Sequence, residues 1–273
     1  MRVKAWLFLP ALMAAMGPLP ASAQLGLGLA PMRTEIRINA GGQHSGALKL
    51  TNQTDKRARI STETLDFYID STATPQFGRS FEKEADYSCR EWLTVNPMQF
   101  EVAPGADATI RYTIAAPQAA AERSYQCAVG FTAAPPVEKA PVSSLRTAVR
   151  IVAAFYVVIG KPSVDGAVKE IRLEPVADPN GPPAWRAVAV IENRGAYYFR
   201  PSGSLDVLDN QGKVVESVDL NPVVALPKRE QNYFFPLTKV RAEGRYTLRL
   251  KVDLGGNEIQ EATANVVAQP PSH

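Results

Sequence analysis

Residues 144–160 read SLRTAVRIVAAFYVVIG, between a proline-rich loop (APPVEKAPVS) and the break Gly160-Lys161-Pro162. Nearly every place is apolar or β-branched, the composition that fits a pleated surface. At period two, Leu145, Thr147, Val149, Ile151, Ala153, Phe155 and Val157 share one face, and Arg146, Ala148, Arg150, Val152, Ala154 and Tyr156 share the other. The segment is a strand. Its apolar face is long enough either to complete this protein's own core or to fill successive pockets in another polypeptide. One face cannot do both along its whole length, so residues 145–151 are expected to project outward and 153–158 to pack at home.

The same alternation marks most of the chain. Residues 34–38, 47–50 and 57–66 come first, separated by Gly41-Gly42 and the polar turn Asn52-Gln53-Thr54-Asp55. Residues 70–88, rich in Ser, Thr, Gly and charge, read as irregular. Residues 92–95, 98–102, 108–114 and 125–132 follow, punctuated by Pro97 and Pro104-Gly105. After Gly160-Lys161-Pro162-Ser163 the pattern restarts over 168–173, 185–192, 197–208, 213–218, 231–237, 245–252 and 258–267. Short strands at turn-marked intervals, without a long amphipathic helix, predict an all-β chain. Two immunoglobulin-like β-sandwich domains, 24–160 and 161–273, are expected, joined by a short linker at a fixed bend.

The first residues, MRVKAWLFLPALMAAMGPLPASAQ, have the form of a secretory signal: two early positives, a short apolar stretch and small residues before Gln24. Residues 1–23 are therefore expected to be removed. Losing Arg2 and Lys4, and no acid, takes two charges from the formal net charge of +3 and leaves +1. That balance gives no reason to expect nucleic acid as a partner. An exported chain also frames its two cysteines, Cys89 and Cys127. Pairing them would close a loop worth ~3–4 kcal/mol on the chain-entropy model; the alternative is two unrelated buried thiols.

Catalytic chemistry has little to stand on. The two histidines, His44 and His273, belong to no metal-ligand spacing, and the sequence has no CxxC, GxGxxG or GxSxG. A carboxylate-only enzyme is the distant alternative. No enzyme activity, cofactor or metal is expected. The aromatic runs Tyr197-Tyr198-Phe199 and Tyr233-Phe234-Phe235 are read as strand residues that place alternate rings in a core.

Several segments, in order, resemble the PapD-like periplasmic pilus chaperones. They are Pro31-Met32-Arg33-Thr34-Glu35, Leu48-Lys49-Leu50-Thr51-Asn52, Trp92-Leu93-Thr94-Val95-Asn96-Pro97, Pro104-Gly105 with Ile110-Arg111, and Phe155-Tyr156. Asn193-Arg194-Gly195-Ala196-Tyr197-Tyr198 and Asp253-Leu254-Gly255-Gly256 continue the likeness into the second domain. The resemblance implies a periplasmic protein that lends its last domain-one strand to an incomplete pilin-like, secreted β-rich subunit. Leu145, Thr147, Val149 and Ile151 would be the donor side chains, and Arg33 would hold the subunit's C-terminal carboxylate. An outer-membrane usher and a homodimer of the free protein are further implied partners. One position departs from the pattern: the family's second cleft cation, a lysine, falls on Ala153 or on Val157, depending on the alignment. Arg150, nearby in sequence, is the candidate substitute. The departure keeps open a second reading, a structural or adhesive cell-envelope protein built on the same two sandwiches.

Overall fold

In a computed structural model of the chain, residues 26–134, 148–176, 184–240 and 244–269 are described. The expected leader lies outside the described residues, as do Leu145 and Thr147 of the candidate donor strand.

Among the described residues the first lobe contains ten strands: β1 (Leu27–Ala30), β2 (Arg33–Arg37), β3 (Gln43–Asn52), β4 (Ala58–Ile69), β5 (Pro75–Gly78), β6 (Leu93–Asn96), β7 (Gln99–Val102), β8 (Asp107–Ala115), β9 (Ser124–Ala134) and β10 (Val149–Val158). They form two sheets, β1-β3-β8-β6 and β2-β10-β9-β4-β5, with β7 also paired to β4. Alternation decides what lies between them. Leu48 and Leu50 of β3, Ile110 and Ile114 of β8, and Phe131 and Phe155 are almost wholly withdrawn from solvent. Side chains of this kind contribute roughly 1.5–3 kcal/mol each when fully buried. Asn52 is the polar exception. Its side-chain N–H groups donate to the carbonyls of Lys56 and Val102, and its Oδ1 accepts from Thr54. The turn foreseen at 52–55 is thus closed from inside the lobe, with its buried amide satisfied.

The second lobe holds β11 (Gly166–Val176), β12 (Ala184–Asn193), β13 (Ser202–Leu208), β14 (Val214–Asp219), β15 (Arg229–Leu237), β16 (Arg245–Asp253) and β17 (Ile259–Val267). Its sheets run β11-β12-β15 and β14-β13-β16-β17. Tyr233 and Phe235 point into this core. Phe234, of opposite parity, lies under the Arg186 guanidinium at 4.7 Å.

Three elements differ from the sequence reading. β1 was not anticipated because Gly26 and Gly28 interrupt its apolar residues; Leu27 is buried and Leu29 packs against the same core. The stretch 70–88 carries β5, which folds back on β4, and a 3-10 turn, Glu82–Tyr87. The strand read over 197–208 begins only at Ser202. Before it, Phe199 exchanges backbone hydrogen bonds with Ala225, and Pro201 has no N–H to extend a ladder.

Cys89 is joined to Cys127, with Cα atoms 5.2 Å apart, so the bridge ties the 70–92 excursion to β9. Replacing both cysteines by serine is expected to lower unfolding free energy by about 3–4 kcal/mol. Urea denaturation of the oxidised protein against the double variant measures it, and equal midpoints would refute the expectation.

Candidate functional site

Strand β10 lies between β9 and β2, but its two sides are not equally covered. It pairs antiparallel with β9 over its whole length, Val149 to Val158. The parallel partner β2 covers only Ala154 to Val158. The chain preceding β2 crosses the cis Ala30–Pro31 bond, and β1 pairs with β3 in the opposite sheet. The N–H of Ala154 donates to the carbonyl of Met32 at 2.9 Å. Because backbone groups alternate along a strand, those of Val152 and Arg150 face the same side. Among the described residues, no strand pairs with them there. Residues 149–153 therefore form an open sheet edge that stops where Arg33 begins.

Beside this edge a groove of about 690 Å³ runs between the lobes, with Met32, Arg33, Arg150, Val152 and Tyr156 in its lining. The parity of β10 explains which side chains reach it. Ala153, Phe155 and Val157 are buried in the first lobe's core, whereas Val152, Ala154 and Tyr156 belong to a separate apolar cluster between lobes. Both positions where the lysine was sought, Ala153 and Val157, thus face away from the groove.

Three guanidinium groups line the groove. Arg150 is committed to Glu63, at 2.7 Å, across Gly130 of the intervening strand. Arg33 is more than half exposed, with Nε 3.7 Å from Glu35 Oε1. The third arginine, not foreseen from the sequence, is Arg200 of the second lobe. Its Nε donates to the same Glu35 oxygen at 3.1 Å, and its guanidinium lies 4.9 Å from the Tyr156 ring centre. Its Nη2 is buried without a hydrogen-bond acceptor. An unmade buried bond costs about 1–3 kcal/mol, more for a charged group. Burial raises the Tyr156 phenol, with the Arg200 charge opposing it. Burial, followed by the Glu35 charge, pushes Tyr198 up to about 12. Both phenols stay neutral near pH 7, so the groove's positive charge comes from arginine.

The lobes meet through more than the linker. Tyr197 donates its hydroxyl to Ile159 O at 2.9 Å, and Ser124 Oγ accepts from Tyr198 N at 2.8 Å. Leu65, Phe67 and Ile69 of β4 pack with Val224 and Leu226. Glu84, 3% exposed, ion-pairs with Arg229 and accepts from Gln126 Nε2 at 3.2 Å. Arg229 also covers the Tyr68 ring at 5.0 Å, and burial draws its basicity down.

No family model matches the chain, and no curated protein does either. Solved structures do resemble its fold. Several of them are chaperones. The class 5 fimbriae chaperone CfaA aligns over 88% of this chain and 99% of its own, with 13% identity and a TM-score of 0.45. The E. coli chaperone DraB aligns over 86% and 96%, with 16% identity and a TM-score of 0.41. The Pseudomonas aeruginosa chaperone CupB2 aligns over 87% and 97%, with 13% identity and a TM-score of 0.37.

Of the residues singled out in the sequence, Arg33, Arg150 and Ile151 line the groove, Val149 stands half-buried on the open-edged half of β10, and Ile151, expected to project outward, also packs against the first lobe's own core. Arg200 escaped because nothing in linear order ties it to Arg33, 167 positions earlier; its signal was a lone arginine closing an aromatic run. The cross-lobe pair gives a stability prediction. Arg229→Met leaves the Glu84 charge buried and is expected to cost about 3 kcal/mol, most of it recovered when Glu84→Gln is added. Urea denaturation of the three variants tests this, and simple additivity would refute the coupling.

Proposed function

We propose that this protein is a periplasmic chaperone that binds pilin-like or other secreted β-rich subunits by adding a subunit strand to the open edge of β10. The observation that carries the reading is that edge: backbone groups at Arg150 and Val152 that no strand among the described residues pairs, ending at a guanidinium. An edge of this kind is a template for strand addition. Val149 and Ile151, with Leu145 and Thr147 ahead of them, are the side chains offered to the subunit.

The charge at the end of the edge sets the direction of the guest. A strand lying in line with β2 abuts Arg33 with one of its ends. A cationic site favours a carboxylate there over an ammonium, so the guest runs parallel to β10, as β2 does, and brings its C-terminus to Arg33. No cofactor enters the scheme, because backbone pairing and side-chain burial supply the binding free energy. The sequence of residues 1–23 and the Cys89–Cys127 bridge support export to an oxidising compartment. An outer-membrane usher is the partner to which a capped subunit would be handed. A homodimer would cover the open edge in the free protein.

The test is isolation of the tagged protein from periplasm, with identification of any β-rich subunit bound to it. Val149→Asp puts a charge at an apolar contact and is expected to weaken the complex at least tenfold. Arg33→Ala removes a charge-assisted contact of about 1.5–3 kcal/mol, roughly tenfold to a hundredfold. A wild-type yield of complex from both variants would sink the proposal, and is what an envelope scaffold gives.

A further inference from the structure

We infer that the second lobe binds a second copy of this chain through β17, in an antiparallel strand pair whose two-fold axis passes at Thr263. The surface is separate from β10 and from the inter-lobe groove, which no β17 residue lines. The pairing stands whether or not the chaperone reading does.

β17 closes one side of the sheet β14-β13-β16-β17, and among the described residues no strand pairs with its far side. Edge strands invite misassociation, and proteins blunt them by shortness, charge, proline or a bulge. The other edges of this molecule carry such devices. β1, β5 and β6 have four residues each. β11 carries Lys169, Glu170, Arg172 and Glu174 and breaks register between Val168 and Glu170. Part of its backbone edge is also satisfied: Gln260 Nε2 donates to Gly166 O at 2.9 Å, and Val168 N donates to Gln260 Oε1 at 3.3 Å. β17 has none of these protections. It runs nine residues in unbroken register, IQEATANVV, with Glu261 as its one charge and no proline.

One hydrogen bond fixes which backbone groups face outward. Just past the strand's end, Ala268 N donates to Gly244 O at 2.9 Å, so the even-numbered residues turn their N–H and C=O toward β16. Those of Ile259, Glu261, Thr263, Asn265 and Val267 therefore point to the open side. The side chains of the same five residues form the exposed face of the strand. Two of them are large apolar groups left in water, Ile259 at 72% exposure and Val267 at 49%.

The sequence of the strand matches itself in reverse. With the axis at Thr263, each outward residue meets an outward residue of the second copy, so every pair exchanges both backbone hydrogen bonds. Ile259 then lies opposite Val267, which covers apolar surface with apolar surface. Glu261 lies opposite Asn265, and no two acids oppose each other. Glu261 already has Lys251 at 3.6 Å, and Asn265 Oδ1 accepts from Thr247 at 2.9 Å, which leaves the Asn265 amide N–H groups to donate to Glu261 of the second copy. A slip of two residues in either direction leaves Val267 or Ile259 without a partner and sets the other against Asn265 or Glu261. A strand of another protein has no such match built in, and pairing β17 with β11 of the next copy would be head-to-tail and would not close. The two-fold pair joins two four-stranded sheets into one and leaves β10 of each copy open.

Sedimentation equilibrium of residues 24–273 tests the pairing. The wild-type chain is expected to pass from monomer to dimer within about 1–100 µM, and a chain still monomeric at the upper end overturns the inference. Thr263→Lys sets two ammonium groups face to face across the axis, and Thr263→Glu does the same with carboxylates. Each variant alone is expected to dimerise at least tenfold more weakly than wild type. An equal mixture of the two should regain at least the wild-type affinity, because each lysine then faces a glutamate. That recovery cannot come from misfolded chains and places position 263 at the axis. A mixture that stays as weak as its components overturns the inference. Val149→Asp is the counter-test: a dimer that it abolishes and that Thr263→Lys leaves intact is joined through β10, and β17 is then not the interface.

Discussion

A sheet edge left half covered is the constraint on which the rest depends. Backbone N–H and C=O groups need partners, and β10 obtains them on one side along its full length but on the other only from Ala154 onward. The cause is the path of the first residues. They pair with β3 in one sheet, change sheets at Pro31, and reach β10 too late to cover its first half. A chain that entered the second sheet a few residues earlier would close the edge and leave an ordinary sandwich.

The two faces of β10 give the open edge its surroundings. From Ala153 onward its odd-numbered side chains hold the first lobe together, with the Phe155 ring tilted against Tyr112 at 4.7 Å. Its even-numbered ones form the inter-lobe cluster, where Tyr156 meets Phe67 edge-on at 5.4 Å and Tyr198 at 5.1 Å. One strand therefore sets both the fold of a lobe and the position of its neighbour. The Glu84–Arg229 pair and the Val224–Leu226 contacts fasten that neighbour so that Arg200 falls beside Arg33.

Much of the architecture was legible from period-two patterning, because each strand has one buried face and polar turns mark its ends. The resemblance to pilus chaperones singled out Arg33, but its place opposite Ala154 on the last strand comes from the register alone. What remained hidden was what strand register and inter-lobe packing decide. Ala153 and Val157 looked like places for a cation in linear alignment, yet parity sends both into the core. β1 was hidden by its glycines, and the 70–88 stretch by a polar composition that nevertheless returns Phe77 to pack 5.5 Å from Phe67. Arg200 was invisible for a different reason: its role comes from the meeting of two lobes, and no local pattern records that meeting.

Gly130, midway between Arg150 and Glu63, is easy to overlook. A methyl group there would sit 2.9 Å from Arg150 Nε and 3.0 Å from Leu65 Cδ1, so both side chains would have to give way. The missing side chain is what lets the arginine lie flat across the sheet toward its acid. Even alanine at this site would push that guanidinium off β9 and loosen its hold on Glu63.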